Sequence, residues 1–412
     1  MKKKLTSLFL VVCLLFGSIA GLLPVASFAA GNAEDHVVEA ADVPLKLHYD
    51  EEASHGVSQG YDEVDTSFGS GGSMIEAHPN DDWERWSIPL GNGYFGANVF
   101  GRTETERIQL TEKTLANPYR IQNGSANTDG LNNFSETYID FGHTSSRVSE
   151  YSRDLDLETA ISGVSYKYNG VTYTREYFTS YPDNAMVIRL DASAEGALSF
   201  VLRPTVPYEQ EYMNSPGDRG GKTGTVTSSV SNGVGYVTLS GKLEYFDIDF
   251  MGIYKVYTNG GTVVATTCVN NDGDTDGTIT VSGATSAYIV ITMGTDYELV
   301  SEQFAASTTN KPTFSTGLAE TAAKVEGYMS AVDSVLAGKS FDAGYEALKA
   351  RHLEDYQELF GRVTLDLNFN EADFALTTDE LLENYKNGSG SAYLEALYFQ
   401  YGRYLLIASS RK

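Results

Sequence analysis

At 412 residues, 42% of them hydrophobic, the chain is longer than one core usually fills, so at least two domains are expected and wholesale disorder is excluded. A formal net charge of -26 argues against nucleic acid or an anionic membrane as a partner, since either would need clustered Lys and Arg. The 27 Tyr, 19 Phe and 40 Gly suit pleated, half-buried strands and the turns between them.

Residues 1–29 read as a signal peptide. Lys2 to Lys4 precede an apolar run from Leu5 to Leu23, and Ser27-Phe28-Ala29 offers small residues for cleavage after Ala29. A secreted or cell-surface product with no membrane contact after cleavage is expected; a retained anchor is the alternative. Cleavage would leave Cys268 as the one cysteine, which excludes an internal disulfide and reads as a small buried hydrophobe within a strand. Residues 30–80 are a flexible, acidic lead-in with an edge strand at Leu45 to Tyr49.

Residues 81–313 predict a large antiparallel β-sandwich. Its first segment, Trp86 to Gly101, is a loop entering a strand, in which Gly91, Gly93 and Gly96 permit positive φ or close backbone approach. Such a loop either lines a ligand or packs as a plain turn. A hairpin follows at Gly163 to Phe178, turned by Asn169-Gly170. Further strands are predicted at Ala185 to Leu190, Ala197 to Leu202, Gly235 to Leu239, Phe246 to Tyr257, Thr262 to Val269, Thr278 to Val281 and Ala287 to Met293. With no helical period between them, these imply two broad sheets face to face.

Residues 314–391 predict a helical linker: helices over Phe314 to Ala337 and Tyr345 to Phe360, a short strand at Val363 to Leu367, and a capping box at Thr377 to Glu380 that opens a third helix. Residues 392–412 form a last helix with Leu394, Leu397, Tyr398, Tyr401, Leu405 and Ala408 on one apolar stripe. Nothing follows to receive that stripe, which suggests the first helix of a further domain.

Chemistry-bearing motifs are sparse. Asp272, Asp274, Asp276 and Gly277 have calcium-loop spacing, but the twelfth position is Gly283, so an acidic turn is the stronger reading. The six His show no metal spacing, and no phosphate or dinucleotide loop is present, so neither metal nor cofactor is expected. The carboxylates Asp81, Asp82, Glu84, Glu112 and Asp183 lie near loop or strand ends, and Trp83, Trp86 and Tyr94 could stack on a sugar face.

Together these stretches resemble the amino-terminal part of glycoside hydrolase family 95, the α-L-fucosidases and α-L-galactosidases. The resemblance is carried by Trp86 to Ala97, by Tyr151 to Ala160 with Thr174 to Asp183, by His352 to Tyr356 with Leu359 to Val363, and by Leu397 to Arg411. It implies a β-sandwich, a helical linker and the first helix of an (α/α)6 catalytic barrel, with a glycan as substrate. It also implies that Trp86, Asn92, Gly93 and Glu112 line the substrate pocket, with Asn92 bonding sugar hydroxyls. Around Leu110 to Pro118 the chain departs from the family, keeping Glu112 and Thr114 but lacking an aromatic near position 116, which puts strict fucose specificity in question. The acid, the water-activating Asp and the paired Asn of the family's inverting mechanism have no counterpart among these residues. The expectation is therefore the amino-terminal part of a secreted inverting hydrolase, inactive by itself and lacking its barrel. The alternatives are a non-catalytic carbohydrate-binding sandwich or part of an inverting sugar phosphorylase.

Overall fold

The structure, a computed structural model, describes residues 43–53, 87–116, 120–122, 125–127, 131–207, 222–243, 248–269, 274–297 and 317–411. The predicted leader, Asp81, Asp82, Trp83, Glu84, Trp86 and Asp272 lie outside these residues. Sixteen strands are described: β1 (Lys46–Tyr49), β2 (Ile88–Gly91), β3 (Phe95–Val99), β4 (Thr105–Ala116), β5 (Arg120–Gln122), β6 (Ser125–Asn127), β7 (Leu131–Asp140) and β8 (Val148–Asp156), then β9 (Ile161–Tyr168), β10 (Val171–Ser180), β11 (Ala185–Ala192), β12 (Leu198–Thr205), β13 (Lys222–Ser231), β14 (Val234–Leu243), β15 (Ile248–Val269) and β16 (Thr275–Thr295).

Fourteen strands form one continuous antiparallel sheet that curls on itself, and β5 and β6 form a separate ribbon. The curl turns on β15 and β16. Four of the predicted strands merge into these two, because the chain passes through the expected breaks with only a register shift at Asn259/Gly260 and Gly283 at φ 69°. The first part of β16 pairs with β12, and its later part pairs with β11. One arm therefore runs from β11 through β10, β9 and β8 to the edge strand β1, the other from β12 through β7, β4 and β3 to β2. The arms face each other across the core. Phe134 of β7 meets Phe250 of β15 at 5.5 Å between ring centroids, and Tyr254 reaches Thr137 at 3.0 Å. Asn169 (φ 49°) and Gly170 (φ 82°) turn the expected β9–β10 hairpin, with Tyr168 opposite Val171.

One buried ion pair ties the arms together. Glu106 of β4 accepts from Arg175 of β10 at 2.8 Å and from the Tyr177 hydroxyl at 2.7 Å, while its other oxygen accepts from the Gly101 amide at 2.8 Å. Arg175 also donates to the Arg102 carbonyl at 2.7 Å. A desolvated pair is tolerable where the carboxylate and the guanidinium are this well hydrogen-bonded, although Arg175 Nε is buried with no hydrogen-bond partner among the described residues.

Four helices are described after the sheet: α1 (Leu318–Leu336), α2 (Phe341–Phe360), α3 (Thr378–Lys386) and α4 (Ala392–Ser409). Val325, Met329 and Val332 of α1 pack with Tyr345 and Leu348 of α2 on the sheet's outer face, over Phe178, Ile253 and Val290. In α2, His352 holds the Thr159 carbonyl at 2.8 Å and Tyr356 the Leu157 carbonyl at 2.7 Å. Thr377 and Glu380 make the predicted capping box of α3. The strand expected at Val363 to Leu367 is not formed. That stretch finds no strand partner, and the Val363 carbonyl accepts instead from Arg403 at 2.9 Å. Cys268, expected to be buried, is half-buried near the end of β15, where the alternation no longer faces a core.

On α4 the buried face is Tyr393, Leu394, Leu397, Gln400 and Tyr404. Tyr404 donates to the Pro89 carbonyl at 2.6 Å, which docks the helix on β2. Tyr398 and Leu405, placed on the apolar stripe by sequence, are exposed, as are Phe399 and Leu406.

Candidate functional site

The loop between β2 and β3 carries Asn92 and Gly93, and the structure brings both close to Glu112. Phe95 lies opposite Glu112 in the β3–β4 ladder, and Lys113 donates to the Gly93 carbonyl at 3.2 Å. Asn92 is buried, and its amide makes the turn. Its Oδ1 accepts from the Tyr94 and Phe95 amides at 2.9 Å each, and its Nδ2 donates to the Ser180 carbonyl at 3.1 Å and to Asn184 Oδ1 at 3.3 Å. Two acceptor and two donor positions are thereby all used within the chain.

The flanking glycines are explained by α4. The Gly93 amide donates to the Ala408 carbonyl at 2.7 Å. A Cβ on Gly91 would lie 2.6 Å from that same oxygen, and one on Gly93, at φ 80°, would lie 2.5 Å from Arg411 Cβ. The close approach permitted by these glycines is filled by the helix end. Arg411 also pairs with Asp355 of α2 at 2.5 Å and lies 4.1 Å over the Tyr181 ring. Arg351 of α2 holds Asp183 at 2.8 Å, and Asp183 accepts from Ser180 at 2.6 Å. The turn after β10, the β2–β3 loop, the second half of α2 and the end of α4 thus form one interlocked junction.

Beside this junction lies a cavity of about 340 Å³ between β2, β3, β4 and the last turn of α4. Its polar lining is Tyr94, Asn98, Thr111, Lys113 and Ser409, and among the described residues no carboxylate lines it. Glu112 points away, into the core. Its Oε2 accepts from the Thr114 amide at 2.8 Å, the Thr114 hydroxyl at 2.6 Å and the Leu115 amide at 2.8 Å. Burial raises the Glu112 carboxyl above the ordinary carboxylate range, and these hydrogen bonds oppose the shift. Glu112 Oε1 and the Tyr94 hydroxyl are both buried and, among the described residues, have no partner in full hydrogen-bond geometry; the two groups interact with each other, and burial together with the Glu112 charge pushes the Tyr94 phenol up.

Among the described residues no group of three or more His, Cys, Asp and Glu could hold a metal. Asp276 and Gly277 of the candidate calcium motif enter β16 opposite Cys268 and Thr267, and a Cβ at Gly277 would lie 2.4 Å from the Ser228 amide nitrogen. The cavity residues that sequence reasoning passed over are Asn98, Thr111 and Lys113. Strand alternation was the available signal, since Thr111 and Lys113 flank the inward Glu112.

Fold and site together define a class: an antiparallel β-sandwich whose loop and strand ends build one wall of a cavity against a carboxyl-terminal helix. Residues 74–116 and 117–299, together more than half of the chain, match the family described as glycosyl hydrolase family 65, N-terminal domain, and the chain belongs to that family. Residues 344–412 match the start of the glycosyl hydrolase family 95 catalytic domain. Among curated relatives, an alpha-L-fucosidase 2 of Arabidopsis thaliana is 26% identical over 381 residues, 81% of this chain and 41% of its own length. A probable alpha-fucosidase A of Aspergillus niger is 28% identical over 366 residues, covering 79% of this chain and 41% of the relative. The chain thus spans about two fifths of the length of these relatives. A solved structure provisionally assigned as a kojibiose phosphorylase, from the human microbiome, aligns with a TM-score of 0.41 at 11% identity, over 69% of this chain and 37% of that one.

Proposed function

We propose that this chain supplies the sandwich wall of a glycan-binding site in an inverting glycoside hydrolase acting on α-L-fucosides or related glycans. The observation that carries the reading is the cavity at the β2–β3 loop, closed by the end of α4, so that segments matching the two glycosyl hydrolase families border one space. Tyr94, with an apolar face and a polar edge, and the hydrogen-bonding groups of Asn98, Thr111 and Lys113 suit a sugar there. Asn92 acts as a positioning residue that fixes the turn, Gly93 admits the helix end, and Glu112 sets the path of β4 beneath the cavity. Trp86 belongs to the same reading by its sequence position alone, two residues before Ile88 opens β2.

Hydrolysis with inversion needs an acid and a water-activating carboxylate on opposite faces of the sugar. With no carboxylate among the described residues that line the cavity, residues 1–412 alone are proposed to bind without turnover. The leader-like residues 1–29 support secretion. The test is kinetic, on the full gene product with an aryl α-L-fucoside: Lys113→Ala and Asn98→Ala should raise KM severalfold with kcat little changed. Unchanged KM in both variants refutes the site, and turnover by the 412-residue chain refutes its inactivity.

A further inference from the structure

A second cleft, of about 500 Å³, opens on the far side of the helical layer and shares no lining residue with the first. It exists because α1 ends at Leu336 before the strands beneath it do. Past that point the outer face of β15 and β16 continues under no helix until Phe341 starts α2. The floor is aromatic: the half-buried Tyr257 of β15 stacks on Tyr288 of β16 at 4.7 Å between centroids and 24° between planes, and Tyr288, only 3% exposed, backs both Tyr257 and the half-buried Phe341, which lies 5.0 Å from it.

The floor is held from the side by α1. The Tyr257 hydroxyl donates to Asp333 of α1 at 3.3 Å, and Asp333 in turn pairs with Lys255 at 2.6 Å, so the acid and the base neutralise each other. The rim is polar and shaped by turns: Asn232 (φ 51°) and Gly233 (φ 79°) on one side, Gly260 (φ 79°) and Gly261 (φ 71°) on another, and the exposed Lys339 and Ser340 at the α1–α2 turn. A Cβ at Gly233 or Gly260 would meet nothing within 4 Å, whereas one at Gly261 would lie 2.6 Å from the Ala284 nitrogen and the Ser282 oxygen, so the rim is open at the first two positions and packed at the third.

From this arrangement we infer that the cleft is a second saccharide site, taking a neutral pyranose unit of a glycan chain remote from the β2–β3 cavity. An aromatic floor suits the C–H face of a sugar ring, while an amide, hydroxyls and one ammonium at the rim suit its hydroxyls. The overall charge of -26 disfavours acidic glycans. The inference rests on the reading of the chain as part of a glycan-acting enzyme, and serves it by tethering a long substrate at a second point.

The probes are cellohexaose, mannohexaose and 2′-fucosyllactose, with an oligogalacturonide as the acidic arm, titrated at millimolar concentration into the 412-residue chain by calorimetry. At least one neutral probe should bind, with affinity reduced about tenfold or more in Tyr257→Leu and retained in Tyr257→Phe. Asn232→Gly, which keeps the left-handed turn, and the exposed Lys339→Ala should each weaken binding severalfold with unchanged circular dichroism, so that misfolding of Tyr257→Leu cannot mimic the result. Absence of neutral binding, binding of the acidic probe only, or full binding in Asn232→Gly and Lys339→Ala overturns the inference. Binding abolished by Lys113→Ala but untouched by these variants overturns it while supporting the β2–β3 cavity.

Discussion

Replacing Gly91 by alanine sets a methyl carbon 2.6 Å from the Ala408 carbonyl oxygen, a backbone atom with no rotamer in which to escape. An ordinary carbon–oxygen contact is about 3.3 Å or longer, so loop and helix end must part by roughly 0.7 Å. That displacement stretches the Gly93 amide to Ala408 carbonyl hydrogen bond beyond its working range from 2.7 Å. Overpacking costs about 1–3 kcal/mol and the lost hydrogen bond about 1 kcal/mol more, so Gly91→Ala should weaken the docking of α4 by about 2–4 kcal/mol. Gly93→Ala meets Arg411 at 2.5 Å and adds about 1–2 kcal/mol of strain at φ 80°. Gly96→Ala is the control: its nearest neighbour is the Leu90 carbonyl at 3.4 Å, and it should stay within about 1 kcal/mol of the parent. Hydrogen exchange read on residues 405–411 should speed up about 30-fold or more in Gly91→Ala and hardly at all in Gly96→Ala. Parent-like protection in Gly91→Ala, or equal damage from Gly96→Ala, would refute the claim that these glycines exist to admit the helix end.

Breaking the buried Glu106–Arg175 pair by Arg175→Met should cost about 3–5 kcal/mol in urea unfolding, and a double-mutant cycle with Glu106→Gln should show coupling above about 1.5 kcal/mol; additive losses would mean that the pair does not tie the two arms. Burial lowers His352 to about 4 from 6.5. Between those values the unfolded chain takes up a proton that the folded chain refuses, so stability should fall by about 3 kcal/mol as pH drops from 6.5 to 4, and His352→Gln should flatten that part of the pH profile. Tyr398→Ser and Leu406→Lys, on the exposed face of α4, should leave the unfolding midpoint within about 0.5 kcal/mol while reducing self-association measured by light scattering.

The fold was legible where local chemistry is decisive. Asn169-Gly170 can do little but reverse a strand, the Thr377–Glu380 box announces a helix start, and the period change after residue 313 separates sheet from helices. What local pattern could not show is continuity. The stretch from Asn259 to Gly261 carries turn residues, yet β15 runs through it, because β16 beside it supplies ladder partners on both sides of the irregularity. The opposite error at Val363 to Leu367 has the same cause: β-branched and apolar residues there have strand propensity but no neighbouring edge, and Arg403 takes the free carbonyl.

At the proposed site, the motif points to the loop, while the parity of the strand decides which side chains reach the cavity. Glu112 stands out in a sequence because it is a carboxylate, but a strand residue on the core side cannot meet a ligand outside, and three donors from Thr114 and Leu115 already hold it. Its neighbours Thr111 and Lys113 inherit the outward side, and Asn98 reaches the cavity from β3. Asn92 makes the same point in a loop: with its amide fully committed to Tyr94, Phe95, Ser180 and Asn184, it can influence a ligand only by fixing where Tyr94 and the Gly93 carbonyl stand. The two readings of this residue separate in one experiment on the full gene product. If Asn92 sets the turn, Asn92→Asp, which keeps the two acceptor bonds but loses both donor bonds to the β10–β11 turn, should loosen residues 180–184 in hydrogen exchange together with any change in KM. A raised KM with parent-like exchange there would instead place the Asn92 side chain against the sugar itself.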